Sequence, residues 1–181
     1  MTLTKEDGTG KTDANTYADV ADGDAFHEGH LYASAWSGAT TGNKETALVM
    51  ATRLIDALCY FRGFKTHDTQ ALQWPRELAK DDNRLNSFVL LLNRQNYFAN
   101  DVVPVMLINA TIETARALIE QDRTTDPDGE GIAKLGLVGT LNVTFDKQDR
   151  PPIIPHVAQA MLARLGELQT GGAGTVRFVR V

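Results

Sequence analysis

A glycine-rich segment near the start of the chain has the residue types of a phosphate-binding loop. Residues 8–12 read GTGKT, the end of that motif, whose backbone amides cradle phosphate and whose lysine reaches the same group. The complete motif has a glycine five residues before Gly10, where this chain has Lys5. It also needs a strand to aim the amides, and the seven residues before Gly8 leave no room for a buried strand. We therefore predict that this segment does not bind a nucleotide.

Two histidines three residues apart, His27 and His30, come nearest to a metal-binding motif. Zinc proteases use His-Glu-x-x-His, which is one residue longer, and they add a third ligand. Gly29 also weakens the helix that would have to hold both imidazoles on one face. We predict a surface pair of histidines. No serine lies in a nucleophile-elbow context, so we predict no catalytic, metal or cofactor-binding residues and no enzymatic activity.

Basic and aromatic side chains alternate between residues 60 and 84, a pattern that can grip phosphates and stack bases. The basic members are Arg62, Lys65, Arg76 and Arg84, and the aromatic members are Tyr60, Phe61, Phe64 and Trp74. One interpretation is structural: a helix end and its loop must pack on something, and a tryptophan beside a proline is commonly a core residue. The other interpretations are a nucleic-acid groove, or the lining of a channel through which DNA passes. The structural interpretation is favoured.

The bulk composition is that of an ordinary globular protein. The chain has 181 residues, 43% hydrophobic and 23% charged, enough for a core without disulfides or a metal. The 18 basic and 23 acidic residues give a net charge of −5, which argues against a free-standing nucleic-acid binder because such proteins carry a basic patch. The single cysteine, Cys59, excludes an intrachain disulfide and is predicted to be a buried apolar residue.

Neither a signal peptide nor a membrane span is predicted. The first residues lack the apolar stretch of a secretory signal. The longest apolar runs, near residues 88–92 and 102–108, are shorter than the roughly 18 residues of a spanning helix. We expect a soluble product, made in the cytoplasm and without membrane contact.

Hydrophobic periodicity predicts a mainly α protein. Amphipathic patterns predict helices over residues 20–29, 44–61, 104–120 and 156–168. Two β-leaning runs, 132–138 and 140–145, flank Gly139 and predict a β-hairpin near residues 132–145. The domain is predicted to cover residues 16–170.

The two termini are predicted to be arms. Residues 1–15 are rich in Gly, Thr and Asp and are expected to be flexible. Residues 171–174 read GGAG and predict a hinge. Beyond it, apolar and basic or polar residues alternate, a pattern that often pairs with another sheet edge, although folding back or fraying is as consistent with the sequence. The predicted docking residues are Thr175, Val176, Arg177, Phe178, Val179, Arg180 and Val181.

The local signatures between residues 14 and 76 resemble, in type and order, the head–tail adaptor (connector, or head-completion) proteins of tailed phages. Members of that group are often labelled DnaT-like single-stranded-DNA-binding proteins. The signatures are ANTYADV at 14–20, DGDAF at 22–26, the helical run 44–58, YFRGFK at 60–65 and QALQWPR at 70–76. The likeness continues more loosely through 103–115, 134–138 and the Gly-rich tail. Residues 77–100, which are longer and more hydrophobic, and the unusual arm at 8–11 depart from the pattern.

The resemblance implies a small helical bundle with an appended β-hairpin and extended N- and C-terminal arms. It implies a structural virion protein at the head–tail interface, forming a ring of usually about twelve copies under the portal. Its partners would be the portal protein, its own copies and the next tail or stopper protein. Packaged double-stranded DNA would touch it only transiently.

A rival interpretation takes the family label literally. The protein would then be a replication accessory protein that binds single-stranded DNA. That interpretation predicts a basic, aromatic groove and an affinity that falls with salt, with Arg62, Lys65, Arg76 and Arg84 as the candidate DNA-facing residues.

Overall fold

The computed structural model describes residues 2–81, 97–125, 134–137, 141–144 and 151–169, with side chains throughout except in 134–137 and 141–144. This part of the chain is helix-rich and includes small two-stranded sheets. The helices are α1 (Val20–Glu28), α2 (Ser34–Ser37), α3 (Thr41–Leu58), α4 (Val105–Glu120) and α5 (His156–Leu162). The strands are β1 (Cys59–Phe61), β2 (Phe64–Lys65), β3 (Arg76–Glu77), β4 (Lys134–Leu137), β5 (Leu141–Thr144) and β6 (Gly166–Leu168).

The helix starts follow local capping chemistry. Asp19 caps α1 and forms a capping box with Asp22, in which each side chain accepts from the other residue's backbone amide. Thr40 caps α3 by accepting from the amide of Asn43. Pro104 precedes α4, where its fixed φ suits a helix start. The predicted helices at residues 20–29 and 104–120 are confirmed.

Helices α3 and α4 form the centre of the domain and run antiparallel. The C-terminal part of α3 meets the first half of α4, where Ile55 shares a cluster with Leu107. The N-terminal part of α3 meets the second half of α4, where Leu48 shares a cluster with Ile112. Two hydrophobic cores therefore lie towards opposite ends of this helix pair.

Each core has a fully buried tryptophan. The first core, which we call the Trp74 core, adds β1, α5 and the loop that carries Trp74. The second, the Trp36 core, adds α1 and α2, and Trp36 contacts Gly23 of α1 so closely that a Cβ there would lie 2.2 Å from its ring. The predicted core position of Trp74 is confirmed, since its exposed fraction is 0%.

Two predicted helices end earlier than their sequence patterns suggest. Residues 59–61 were expected to close a helix at 61, and residues 166–168 to close another at 168. They instead form β1 and β6, which pair antiparallel with Cys59 opposite Leu168 and Phe61 opposite Gly166. Pairing satisfies the backbone groups that face the partner strand, while Phe61 and Leu165 enter the Trp74 core.

The predicted β-hairpin is confirmed. Strands β4 and β5 pair antiparallel, with Lys134 opposite Thr144 and Leu137 opposite Leu141. Its predicted turn residue, Gly139, lies outside the described residues, as do residues 171–181. The predicted domain limits at 16 and 170 stay predictions.

The expected flexible arm at residues 1–15 is corrected by the structure. Residues 2–15 pack on the domain: the Glu6 amide donates to Thr16 O (2.9 Å), and the Asn15 amide donates to Thr4 O (2.9 Å). Lys11 O accepts from the amide of Ala71 (2.9 Å). A polar, glycine-rich composition suggested disorder, but these residues satisfy their polar groups internally.

None of the described helices has the length and apolar character that a bilayer crossing requires.

Candidate functional site

Arg76 was predicted to face DNA, and the structure corrects this prediction. Its side chain lies inside the domain, with 9% of the residue exposed. Nε donates to Arg62 O (2.9 Å), and Nη1 donates to Gln73 O (3.2 Å). Nη2 donates to the carbonyls of Gly63 and Phe61. The planar guanidinium thereby satisfies the backbone of the turn after β1, a geometry that a lysine cannot reproduce.

The aromatic members of the predicted cluster divide into two groups. Phe61 and Trp74 are buried, and their rings meet edge to face with centroids 6.0 Å apart. Phe98 meets the Trp74 ring in the same way at 5.8 Å. Tyr60 and Phe64, in contrast, are 73% and 66% exposed. Only this second pair is available to a ligand or partner.

A buried tyrosine–carboxylate pair holds the loop that carries Trp74. The Tyr17 hydroxyl donates to Asp56 Oδ1 (2.6 Å) and accepts from the amides of Gln73 (3.0 Å) and Trp74 (3.2 Å). Asp56 Oδ2 accepts from the Gln73 amide as well (3.1 Å). Burial raises the pKa of Asp56 to about 6 and raises the pKa of Tyr17 well above its usual value. The pair joins the N-terminal segment, α3 and this loop at one point.

The segment that resembles a phosphate-binding loop does wrap an anion, but the anion is the protein's own Glu6. The Glu6 carboxylate is buried and accepts from the amides of Gly8 (2.9 Å), Gly10 (2.8 Å) and Lys11 (2.8 Å). Gly8 and Gly10 have positive φ values of 103° and 73°, which glycine adopts without strain. The prediction that this loop is not a nucleotide site agrees with this internal role.

The predicted surface pair of histidines is corrected at one member. His27 is 5% exposed, and its ring lies 5.1 Å from that of Trp36 and 5.5 Å from that of His30, centroid to centroid. Within the described residues neither ring nitrogen has a hydrogen-bond partner. Burial lowers the pKa of His27 to about 4, against the opposing charge of Glu113. The histidine is therefore a neutral member of the Trp36 core.

The thiol of Cys59 is not a reactive group near neutral pH. Burial raises the pKa of the Cys59 thiol to about 12, so the thiolate that would react is not populated near neutral pH. The predicted burial of Cys59 is confirmed at 6% exposure. No group of three or more metal-ligating side chains occurs among the residues that the structure describes.

One face of the β1–β6 ribbon remains accessible. Tyr60 lies opposite Glu167 in the register, so both side chains project from the same, outer face. Arg62 and Glu167 line a cleft of about 630 Å³, whose other wall has Ala160 of α5 and Ala163, which follows that helix. We call this region the ribbon face. It combines an exposed aromatic ring with one basic and one acidic side chain, so it is not strongly basic.

The remaining predicted site residues are dispersed or lie outside the described residues. The Lys65 side chain is half-buried and its ammonium points to Gln70 O (3.4 Å). Arg84 lies outside the described residues, as do the predicted docking residues 175–181. The structure therefore leaves Tyr60 and Arg62 exposed at the end of β1 and buries Arg76.

Sequence reasoning did not identify Tyr17, Asp56 and Glu6 as members of buried polar networks. Tyr17 lay within a quoted signature, and Asp56 lay on the polar side of an amphipathic helix. Their pairing depends on tertiary contacts 39 residues apart in sequence. For Glu6, the glycines that follow at positions 8 and 10 were the available signal, since such spacing makes backbone nests that accept an anion.

The described residues thus define a small helix-rich domain. Several residues of its sequence signatures, such as Tyr17, Trp74 and Arg76, are buried within it. The chain matches, over residues 1–181, the family model described as "Putative DnaT-like ssDNA binding protein". Because the match covers the whole chain, the protein belongs to this family. No curated protein and no solved structure matches the chain.

Proposed function

We propose that this protein is a head–tail adaptor of a tailed phage, a structural subunit that joins the DNA-filled head to the tail. The observation that carries the proposal is the internal role of Arg76 and Trp74. They are the strongest basic and aromatic candidates for a DNA groove, and both are used to build the domain. With a net charge of −5, the chain favours contacts with proteins over tight binding of nucleic acid.

Exposed apolar side chains support a protein-binding role. Large exposed apolar residues mark an interface where they adjoin one another. Those more than half exposed are Leu31, Tyr32, Tyr60, Phe64, Leu78, Val105 and Val157. They belong to elements at both ends of the α3–α4 pair. Unlike surfaces at opposite ends suit the heterologous contacts by which identical subunits close into a ring.

The proposed partners are the portal protein, further copies of this chain and the next tail or stopper protein. In this proposal the ring, of about twelve copies, extends the channel through which packaged DNA passes. Residues 175–181 dock on the portal or on a neighbouring subunit. The acidic net charge suits a channel that DNA must slide through without sticking.

Reconstitution with the purified portal ring tests this proposal. The full-length chain is mixed with portal rings, and the complex is weighed by native mass spectrometry. We expect one copy of this chain for each portal subunit. We expect a chain lacking residues 175–181 to stay folded but not to join the portal. No complex between the full-length chain and the portal would overturn the proposal, and normal incorporation of the truncated chain would overturn the role of the tail.

The alternative function, binding of single-stranded DNA, is favoured by the family description and by the exposed Tyr60 beside Arg62. Aromatic stacking contributes about 1–3 kcal/mol per base in such proteins. A labelled 30-nucleotide poly-dT titrated with the full-length chain at low salt distinguishes the two functions. Micromolar affinity that falls steeply with salt and is lost in Tyr60→Ala would favour the alternative. The adaptor proposal predicts no saturable binding in that range.

A further inference from the structure

The turn between α1 and α2 presents an exposed apolar pair that is backed by packed rings. His27 contacts the ring of buried Trp36, and its centroid lies 5.5 Å from that of His30. The His30 ring lies 6.5 Å from the Tyr32 ring, and His30 Nδ1 accepts from the Tyr32 amide (3.1 Å). Leu31 and Tyr32 are nevertheless 85% and 73% exposed. An apolar pair that is already fixed in place loses little freedom when it binds a partner.

We call residues 28–32 the tip, and its charge is acidic. Residues 24–32 contain two acidic residues and no lysine or arginine. Asp24 is bound to Lys44 Nζ (2.7 Å), so the exposed Glu28 supplies the charge that a partner meets. The tip therefore suits an apolar surface that carries basic residues.

A second apolar surface lies on the outer side of β2 and β3. Phe64 of β2 lies opposite Glu77 of β3, and Lys80 lies opposite Tyr97 in an antiparallel bridge. Residues opposite each other in antiparallel strands project to the same side. Phe64, Leu78 and Tyr97 are 66%, 55% and 38% exposed. Together these residues form a surface that we call the β2–β3 face.

Leu78 has a backbone conformation that packing within the subunit does not require. Its φ is 55°, and it is the one non-glycine residue with a positive φ in the described part of the chain. Bulky L-residues adopt this left-handed region only at a cost, which glycine, asparagine or aspartate would lower. Strained positions cluster at binding sites, so an exposed leucine held in this way favours a contact with another molecule.

The β2–β3 face has the opposite charge to the tip. The segments 62–65 and 77–80 contain three basic residues and one acidic residue, a net charge of +2, against −1 in the tip. The two surfaces also lie at different ends of the molecule. The face covers the Trp74 core, to which Ala79 and Phe98 belong, whereas the tip extends from the Trp36 core. Tip and face can therefore meet between copies of the chain.

We propose that the tip of one copy docks on the β2–β3 face of a second copy, with Leu31 and Tyr32 packed against its apolar residues. Glu28 then lies beside the basic residues of the face. Each copy has one tip and one face, so the contact is heterologous and repeats from copy to copy. This inference rests on the proposed function, in which neighbouring copies adjoin in a ring, and it names the surfaces that join them.

Two blocked variants of the full-length chain test the contact by sedimentation velocity. The tip is blocked by Leu31→Ser with Tyr32→Ser, and the face is blocked by Phe64→Ser with Leu78→Asn. We expect the wild type to self-associate at concentrations up to about 1 mM, and each blocked chain to raise the dissociation constant at least about tenfold. Leu78→Asn alone should weaken association while raising the midpoint of thermal unfolding, because asparagine relieves the strained backbone.

Mixing the two blocked chains separates this contact from any other. Each blocked chain keeps one intact surface, so we expect dimers with one copy of each chain and no larger species. A wild type that stays monomeric at about 1 mM, or a mixture without dimers, would overturn the inference. A blocked chain that self-associates as strongly as the wild type would overturn it too, since that surface would then not take part.

Val102→Ser with Val105→Ser is the matched control, since these valines are 49% and 69% exposed outside both surfaces. It should associate as the wild type does, and an equal loss in this control would overturn the assignment. Portal reconstitution distinguishes the two proposals. If the chain joined the portal while the blocked mixture stayed monomeric, this inference alone would fail. If the mixture gave dimers while the chain did not bind the portal, the adaptor proposal alone would fail.

Discussion

The two ends of the α3–α4 pair are stabilised by different physical means. Around Trp74, buried side chains hydrogen-bond the backbone: Arg76 donates to carbonyls, and Asp56 and Tyr17 accept from amides, while the Trp74 Nε1 atom has no hydrogen-bond partner among the described residues. Around Trp36, the interior is an aromatic stack that includes His27, whose ring nitrogens lack partners among the described residues.

The two cores should therefore differ in how well they tolerate substitutions. A core of apolar rings tolerates substitutions of similar volume, whereas a buried polar network fails when one member is removed, because its partners are left unsatisfied. The signature sequence at 70–76 and the first part of that at 14–20, up to Tyr17, lie at the polar end, whereas Ala18 and Val20 belong to the Trp36 core. Their residue types are therefore explained by the fold, without any ligand.

The largest loss of stability is expected when the Arg76 guanidinium is removed from the polar end. Arg76→Met leaves the carbonyls of the turn after β1 without donors, and we expect the free energy of unfolding to fall by at least about 3 kcal/mol. Arg76→Lys should recover only a small part of this loss. Urea unfolding measures both. Arg53→Met, at an exposed position on α3, is the control and should change stability by less than about 0.5 kcal/mol.

The next effect is a pH dependence at the same end. The pKa of Asp56 is raised by burial to about 6, so the folded state favours the protonated carboxyl. This contribution to stability is complete below the unfolded pKa near 4 and is lost as pH rises through 6, by up to about 3 kcal/mol. Urea unfolding from pH 4 to 7 should show this loss in the wild type and not in Asp56→Asn. Parallel pH profiles for the two proteins would contradict the assignment.

A smaller loss is expected at the Glu6 loop. Glu6→Gln keeps one oxygen acceptor but turns an amide group towards the Lys11 amide, which had donated to the carboxylate. Losing these charge-assisted bonds should lower the free energy of unfolding by about 2 kcal/mol. Asp13→Asn, an exposed neighbour, should leave it unchanged. If inorganic phosphate stabilised the Glu6→Ala chain but not the wild type, the nest would be shown to accept an external anion once vacated.

The Trp36 end should respond to acid in the opposite direction. The pKa of His27 is lowered by burial to about 4, so the folded state favours the neutral ring. Its contribution to stability is present above the unfolded pKa of about 6.5 and is lost as pH falls towards 4. His27→Phe should remove this acid sensitivity while leaving the Asp56 profile in place. If His27→Phe lost stability at low pH as the wild type does, His27 would be solvated in the folded state.

The smallest effect is expected on the ribbon face. Tyr60→Ala removes an exposed side chain and should change the free energy of unfolding by less than about 0.5 kcal/mol. We expect Tyr60→Ala to act on binding, so assembly on the portal should weaken while the midpoint of thermal unfolding stays the same. A large loss of stability would place Tyr60 in the fold instead of the interface.

The sequence allowed four of the five described helices to be predicted, but neither α2 nor the ribbon that ends two of the four. The stripe of α3 continues through residues 58–61, and only pairing with β6, more than 100 residues later, makes that segment a strand. The same pairing shortens α5. A local period cannot reveal a partner so distant in the chain, and tertiary contacts override it.

The candidate site was predictable in position but not in role. Residues 60–76 do contain the accessible pair Tyr60 and Arg62, as the basic and aromatic pattern indicated. The burial of Arg76 could not be predicted from the sequence, because its partners are backbone carbonyls that converge only once the turn at Gly63 has formed. The role of Glu6 as the bound anion could not be predicted for the same reason, since its partners are backbone amides that any residue type carries.

The copy number of this chain in the virion tests the central claim most directly. Quantitative mass spectrometry of purified particles of the phage that encodes it would compare the amounts of this chain and of the portal protein. The adaptor account predicts a ratio near one. Absence from virions, with the protein present in infected cells, would contradict the account and favour a role in single-stranded-DNA binding.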